Sequence, residues 1–134
     1  EIYTLSLHDA LPISSLLRLR RSTPLFSLGS ADLVRERVSF PVCGPQAQPG
    51  VIVMVIDDGA GEADVDPALD GVVVVLNATP HEIGQRVDAL VGRFLVLSDV
   101  QAHGSDPVVR ETRFDAATGK VTVPARTVAV LVEP

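Results

Sequence analysis

The sequence predicts a mainly β protein: an antiparallel β-sandwich of Greek-key-like topology, preceded by one short helix. The first observation is an uninterrupted apolar run at residues 72–76, four valines and a leucine, with turn residues on both sides. A short run of this kind is typical of a strand that is buried on both faces. The second observation is a set of about seven short strand patterns separated by turn residues, as in β-sandwiches.

A short helix is predicted to begin at Ser14 or Ser15, because serine is a good N-cap and leucines and arginines come after it. Its leucines are Leu16, Leu17 and Leu19. Pro24 disfavours helical geometry at the preceding residue, so we expect the helix to end there. Residues 24–29 are expected to form an apolar extended linker, and Ser30 to cap a second short helical turn.

The other strands are predicted from alternating or continuous apolar runs between turn residues. They are residues 37–40, 51–56, 93–97, 112–114, 120–123 and 127–132. The loop 115–119 is expected to close a hairpin in which Gly119 supplies left-handed backbone geometry. Residues 98–106 are expected to be irregular, and Pro124 to mark a bend or a sheet edge.

Residues 80–91 support two predictions. Thr79 to Glu82 has the arrangement of a capping box, and the next apolar residues lie at helical spacing, which favours a helix. A sandwich needs a strand at this point, and tertiary packing often overrides local propensity. We leave both open and favour the strand.

Composition limits the possible functions. The 134 residues can form one domain with a sizeable core, and the net charge of −6 disfavours a nucleic-acid partner. Cys43 is the only cysteine, which excludes an internal disulfide and a thiolate metal site, and we expect it to be small, apolar and buried. No apolar run approaches the length of a membrane span, and no cofactor is indicated.

The acidic side chains are concentrated in the segment 57–70. They are Asp57, Asp58, Glu62, Asp64, Asp66 and Asp70. A retaining glycosidase needs two carboxylates about 5–5.5 Å apart, which an unsupported loop cannot hold. Alternating oxygens at Asp64 and Asp66 would suit Ca²⁺, but Pro67 breaks the EF-hand pattern, so a solvated acidic turn is favoured. His81 and His103 lack metal-ligand spacing. We therefore predict no catalytic and no metal-binding residue.

Sugar-binding modules use exposed aromatic rings as stacking platforms. This chain has no tryptophan, and its single tyrosine is Tyr3 near the N-terminus. Three phenylalanines, Phe40, Phe94 and Phe114, fall in predicted strands and are expected in the core. Sugar binding by this chain alone is therefore weakly supported.

Four segments taken together resemble the C-terminal end of bacterial pullulanase-type α-1,6-glucosidases, which are debranching enzymes of the α-amylase superfamily. They are Leu-Leu-Arg-Leu-Arg-Arg-Ser-Thr-Pro-Leu-Phe at 16–26, Gln-Pro-Gly-Val-Ile-Val-Met-Val-Ile-Asp-Asp-Gly at 48–59, the valine run with its Asn-Ala-Thr-Pro ending at 70–80, and Val-Thr-Val-Pro-Ala-Arg-Thr-Val-Ala-Val-Leu at 121–131. Their order and spacing match over about residues 15–134. The sequence departs from the family at Arg126, where an aromatic residue is common.

The resemblance implies a domain without catalytic residues. In that family the leucine- and arginine-rich segment is the last helix of the catalytic (β/α)8 barrel, and an antiparallel domain packs behind it. The nucleophile, the acid/base and the third carboxylate lie in the barrel, upstream of Ser15. We therefore expect an inactive fragment that stabilises the barrel of a parent enzyme hydrolysing α-1,6 branch linkages of pullulan and starch. The fragment would meet α-glucan only through that parent, whose family is often secreted or attached to the cell surface.

The alternative is a stand-alone carbohydrate-binding or adhesion-type β-sandwich module. Under either prediction, residues 1–14 do not fit the rest of the sequence and resemble a translated sequencing adapter, so we interpret them as non-native. Residues 15–29 are then the terminal barrel helix and linker, and residues 30–134 the C-terminal sandwich. Because the main apolar strands lie beyond residue 29, we expect the sandwich to survive deletion of residues 1–29.

Overall fold

The computed structural model describes residues 7–59 and 63–134, in which eight strands form two antiparallel sheets. The five-stranded sheet contains, in spatial order, β1 (Val38–Ser39), β2 (Val51–Asp57), β3 (Gly71–Asn77), β8 (Thr127–Glu133) and β5 (Val96–Leu97). The three-stranded sheet contains β4 (Ile83–Arg86), β7 (Lys120–Val123) and β6 (Arg113–Asp115). The prediction of a mainly β, antiparallel fold with a helix at its start is confirmed.

Three helices accompany the sheets in the described residues. They are α1 (Leu7–Arg21), α2 (Ala31–Arg37) and α3 (Asp99–Ala102). Short 3-10 turns lie at Pro24–Ser27, Gly44–Gln46, Asp88–Leu90 and Val108–Glu111. Within the described part of the chain, no helix combines the length and the apolar character that a membrane crossing requires.

Strand β3 lies at the centre of the larger sheet and is buried on both faces, as its continuous apolar run predicts. Its neighbours β2 and β8 pair with it along its whole length. Val73 and Val75 face the smaller sheet and pack in an inner core with residues such as Val121 and Val123 of β7. Val72 and Val74 belong to a second cluster on the opposite face. This strand is therefore shared by two hydrophobic cores.

The outer core is closed by residues that precede the sandwich strands. Leu19 of α1 and Leu25 pack against Val72 and Val74, and Phe26 adds a partly buried ring. Residues 24–27 are not the extended linker that we predicted. They form a 3-10 turn because the Thr23 hydroxyl accepts a hydrogen bond from the Leu25 backbone N–H at 3.1 Å, which turns Leu25 inward.

This packing changes the expected consequence of removing residues 1–29. The deletion would take away Leu19 and Leu25 and leave one face of β3 open to water. This packing weighs against the prediction that the sandwich survives the deletion, which stays a prediction. The division into 1–14, 15–29 and 30–134 concerns the origin of the segments and stays a prediction.

Both helices near the N-terminus are longer than predicted. In the described residues α1 begins at Leu7 rather than at Ser14 or Ser15, and it contains Pro12 although proline lacks a backbone donor. Ser30 caps α2 as predicted, accepting a hydrogen bond from the Leu33 N–H at 3.2 Å. The helix continues to Arg37, so the predicted strand 37–40 is reduced to the two residues of β1.

Three later segments settle or correct the predictions. Residues 83–86 pair with β7, so the strand alternative for the contested segment is right. Of the predicted strand 93–97 only β5 is a strand, because the Arg93 N–H donates to the Leu90 carbonyl in a turn. The segment 98–106, predicted to be irregular, contains α3.

The β6–β7 hairpin has the predicted turn chemistry. Gly119 has φ 66°, and a Cβ there would overlap the Val87 carbonyl oxygen, so only glycine fits. The Thr118 hydroxyl donates to Asp115 at 2.7 Å. That bond, together with the one from the Ala117 backbone N–H, holds the pKa of Asp115 below its ordinary value.

A pair of leucine substitutions tests the outer core. Leu25 is 1% exposed and Leu17, on α1, is 61% exposed. We expect Leu25→Ala to lower the free energy of unfolding by about 2–5 kcal/mol, because it opens a cavity in a closed core. Leu17→Ala should change it by less than about 0.5 kcal/mol. Urea titrations followed by circular dichroism measure both, and equal losses would contradict the outer core.

Candidate functional site

The acidic segment is organised around a buried ion pair. Asp58, which follows β2, and Arg37, the last residue of α2, are both buried, and a guanidinium nitrogen of Arg37 donates to the Asp58 carboxylate. The same nitrogen donates to the Asp58 carbonyl at 2.9 Å, and the other terminal nitrogen donates to the Ala63 carbonyl. The prediction of a solvated acidic turn is therefore wrong for Asp58. No local pattern in the sequence indicates that Arg37 reaches this segment.

Backbone and side-chain donors also bind the carboxylates of Asp58 and Asp66. Asp58 accepts hydrogen bonds from the backbone N–H groups of Val65 at 3.0 Å and Asp66 at 2.7 Å. Asp66 in turn accepts from the Thr23 hydroxyl at 2.5 Å and from the Ala68 N–H at 3.1 Å. Each of these bonds holds the segment in place, and the one from Thr23 ties it to the outer core.

The remaining acids of the segment do not assemble with these two. Asp64 and Asp70 are exposed, and Glu62 lies outside the described residues. Among residues 7–59 and 63–134, no group of three or more His, Cys, Asp or Glu side chains could hold a metal ion. The oxygens proposed for Ca²⁺ at Asp64 and Asp66 are thus not brought together with a third such ligand in the described chain.

A second charged group closes one end of the larger sheet. Arg93 donates to the Glu133 carboxylate of β8, with Nε at 2.6 Å, and lies 3.6 Å from the Asp57 carboxylate of β2. Gly71 of β3 lies beneath it, and a Cβ there would be 2.7 Å from an Arg93 nitrogen. The absence of a side chain at Gly71 thus lets one arginine link the ends of β2 and β8.

An asparagine that the sequence analysis did not single out fastens the opposite end of β3. The buried Asn77 amide nitrogen donates to the His81 and Pro124 carbonyls, both at 2.8 Å, and its oxygen accepts from the Thr79 hydroxyl at 2.7 Å. One side chain thereby joins β3 to the start of β4 and the end of β7. This role accounts for the polar residues Asn77 and Thr79 at the end of the valine run. In the sequence, the turn-like composition of residues 77–80 was the signal that could have pointed to it.

Other candidate residues lie on the surface. His81 and His103 are exposed, as surface histidines were predicted to be. Cys43 is also exposed, which contradicts the prediction of a buried residue. It lies at the start of a 3-10 turn in the segment 41–50, which is rich in proline and glycine and contributes no strand before β2.

The three phenylalanines of the predicted strands have different environments. Phe114 of β6 packs partly buried against the inner core, as predicted. Phe40 and Phe94 lie just outside β1 and β5 and are exposed, so the prediction that they are core residues is wrong. Strand β1 ends one residue before Phe40, and β5 begins two residues after Phe94. Neither ring is therefore held in the sheet. Tyr3 lies outside the described residues.

Helix α1 presents large aliphatic side chains to solvent. Leu16 and Leu17 are exposed on the same helix that buries Leu19 in the outer core. Within the described residues, α1 thus packs one apolar side chain, Leu19, into this domain and exposes two others, Leu16 and Leu17, to solvent. Arg126, where the sequence departs from the resembled family, is also exposed, in a turn with φ 49° before β8.

The buried ion pair can be tested against a matched exposed pair. We expect Arg37→Met to lower the free energy of unfolding by about 3–5 kcal/mol, because it leaves the Asp58 carboxylate buried without a partner. Arg35 pairs with Asp32 at 3.4 Å on the same helix but in solvent, so Arg35→Met should cost at most about 1 kcal/mol. The double variant Arg37→Met/Asp58→Asn should recover part of the loss. Chemical denaturation measures all three, and similar values for the two single variants would contradict a structural role.

Comparisons with known proteins agree with this architecture. The family described as "Alpha-1,6-glucosidases, pullulanase-type, C-terminal" matches residues 9–134. The chain is 42% identical over 132 residues to "Pullulanase 1, chloroplastic" of Arabidopsis thaliana, an alignment that covers 96% of the chain and 13% of that protein. It is 41% identical over 121 residues to a pullulanase of Klebsiella pneumoniae, covering 89% of the chain and 11% of that protein.

Solved structures show the same similarity. PulA from Klebsiella oxytoca superimposes with a TM-score of 0.79 at 39% identity, covering 90% of this chain and 11% of PulA. The maltotriose complex of PulA from Klebsiella pneumoniae gives 0.80 at 40% identity, covering 91% and 13%. The chain thus spans only a small part of the proteins it matches. It belongs to the family of C-terminal domains of pullulanase-type α-1,6-glucosidases.

Proposed function

We propose that this chain is the non-catalytic C-terminal domain of a pullulanase-type α-1,6-glucosidase and that it stabilises the catalytic (β/α)8 barrel of that parent enzyme. The observation that carries the proposal is the family match over residues 9–134, in a chain that spans 13% of a full-length relative. The parent would hydrolyse α-1,6 branch linkages in α-glucans such as pullulan and starch. This domain would meet the glucan only through the parent.

The charged groups of the described chain support a role without chemistry. Hydrolysis by two carboxylates needs one free to give a proton and one free to attack the sugar or to activate water. Asp58, Asp66 and Glu133 are instead occupied by Arg37, Thr23 and Arg93. Each of these contacts joins two elements of the domain. These three carboxylates therefore hold elements of the domain together.

The position of α1 supports a stabilising role. Leu19 fixes the helix to the outer core of this domain, whereas Leu16 and Leu17 are exposed on the same two turns. A helix that is packed on both sides joins two bodies more rigidly than a flexible linker does. In the parent, α1 would be the last helix of the barrel, so the domain would hold that helix in place.

The proposal can be tested in the pullulanase of Klebsiella pneumoniae. Deleting its matching C-terminal segment should lower the apparent Tm of the enzyme, because one side of the barrel loses its cover. Grafting residues 15–134 of this chain in that position should restore most of the loss. Differential scanning calorimetry and pullulan hydrolysis measure both effects. The 134-residue chain alone should release no sugar from pullulan, and sustained turnover after repurification would contradict the proposal, as would a graft no more stable than the deletion.

A second candidate function, a sugar-binding module, is favoured by one observation. The exposed rings of Phe40 and Phe94 could stack on sugar faces, since aromatic surfaces of this kind are common in such modules. Affinity electrophoresis in a pullulan gel separates the two functions. We expect unchanged mobility, and retardation that is lost in Phe40→Ala or Phe94→Ala would favour the sugar-binding module instead.

A further inference from the structure

The outer edge of β8 is covered by a neighbouring strand over only part of its length. On one side β8 pairs with β3 from end to end, but on the other side β5 reaches only Leu131 and Val132. Residues 128–130 therefore lie beyond the end of β5. Backbone N–H and C=O groups at an unpaired strand edge are a template for pairing with another chain. Whatever covers residues 128–130 thus decides whether β8 is open to a further strand.

A single side chain takes the place of the missing strand. Gln101 of α3 donates from its amide nitrogen to the Val128 carbonyl at 2.8 Å, and its amide oxygen accepts from the Val130 N–H at 2.7 Å. These two partners fix which amide atom is which, because a carbonyl needs a donor and an N–H needs an acceptor. The Ser98 N–H adds a bond to the Val130 carbonyl at 2.8 Å. Gln101 thus continues the hydrogen bonding of the sheet beyond the end of β5.

The sequence of β8 makes this cover necessary. Residues 127–132 are Thr-Val-Ala-Val-Leu-Val, a run without charge, proline or glycine. Segments of six or seven residues with high β-propensity and low charge are the ones that pair between chains when they are exposed at an edge. The edge strand β4 of the smaller sheet, Ile-Gly-Gln-Arg at 83–86, contains a glycine and an arginine, which weaken such pairing. An open edge is therefore a greater hazard at β8 than at β4.

We propose that Gln101 guards the outer edge of β8, and that the partner it excludes is a second copy of this chain, which would otherwise add its own β8 to the sheet. Two copies of one edge can pair antiparallel about a twofold axis, because each residue on that edge offers both a donor and an acceptor. The Gln101 amide occupies the Val128 carbonyl and the Val130 N–H, so this pairing cannot form while the amide is bound. This role of Gln101 does not depend on the proposed function.

Hydrogen exchange tests the guard in a dilute solution of the 134-residue chain. Gln101→Met keeps the length of the side chain and removes both of its bonds to β8. We expect the Val130 amide to exchange about tenfold faster in this variant, because it loses one hydrogen bond at the edge. The amides of β3, which has a paired strand on each side, should exchange as in the wild type. An unchanged rate at Val130, or an equal acceleration in β3, would overturn the guard.

A matched glutamine at the other sheet tests the partner. Gln48 donates to the Gly84 carbonyl of the edge strand β4 at 2.8 Å, so Gln48→Met removes a similar contact from the smaller sheet. With rising protein concentration, light scattering should show dimers of Gln101→Met at concentrations where Gln48→Met and the wild-type chain keep the same, lower mass. Equal association of all three proteins, or none in Gln101→Met, would refute the exclusion of a second copy.

Hydrogen exchange at high concentration locates the contact in Gln101→Met. If two β8 edges pair, the Val130 amide should become protected again, because the partner strand supplies its acceptor. Association that leaves Val130 as fast as in the dilute variant would place the contact elsewhere and exclude β8 of a second copy as the partner.

Discussion

The burial of β3 on both faces is the constraint on which the rest of this structure depends. Val73 and Val75 need an apolar cover on one side, and Val72 and Val74 need a different one on the other. Burying each such side chain stabilises the fold by roughly 1.5–3 kcal/mol, so neither face can stay open without a large loss. The smaller sheet covers the first face. The second is covered by the segment that precedes the sandwich.

The polar contacts result from that arrangement. Because Leu19 and Leu25 must stay against the sheet, their segment has to be fastened, and the Thr23 hydroxyl bonds to Asp66 at 2.5 Å. Asp66 is in turn held through its backbone by Asp58, whose charge is balanced by Arg37. The acidic segment therefore holds the residues of the outer core in place. Packing thus accounts for Asp58 and Asp66, the two acids of the segment that are tied to the outer core.

The comparison of sequence with structure shows which features are local. A continuous run such as 72–76 predicts burial on both faces because no polar residue is available for a solvent side, and Ser30 and Gly119 act through their own turns. Those features were predictable. The exposure of Cys43 and Phe94 was not, because it depends on where β1 ends and where β5 begins, and strand ends are set by partners distant in sequence.

The candidate site shows the same limit. The acids of segment 57–70 were visible as a group, but their partners Arg37 and Thr23 lie 21 and 43 residues away from Asp58 and Asp66. No local pattern joins residues at that separation. The role of Asn77 was missed for the same reason, since its bond to Pro124 spans 47 residues. The resemblance to a family supplied the function because four separate segments constrain each other's order, which single motifs do not.

If the proposed function is correct, this domain affects the stability of its parent enzyme without supplying a reacting group, and the geometry of α1 suggests how. A surface that binds only the folded form of a neighbour stabilises that form by mass action. Covalent attachment places the two surfaces at an effective concentration in the millimolar range for short connections, so a small contact is sufficient. The exposed apolar residues on this side of the described chain are few: Leu16 and Leu17 of α1, and Ile52 and Val128, which flank the partly buried Leu76 on adjacent strands. In the proposed parent, the helix that makes the connection would also be packed in the outer core through Leu19, which would limit movement between this domain and the barrel.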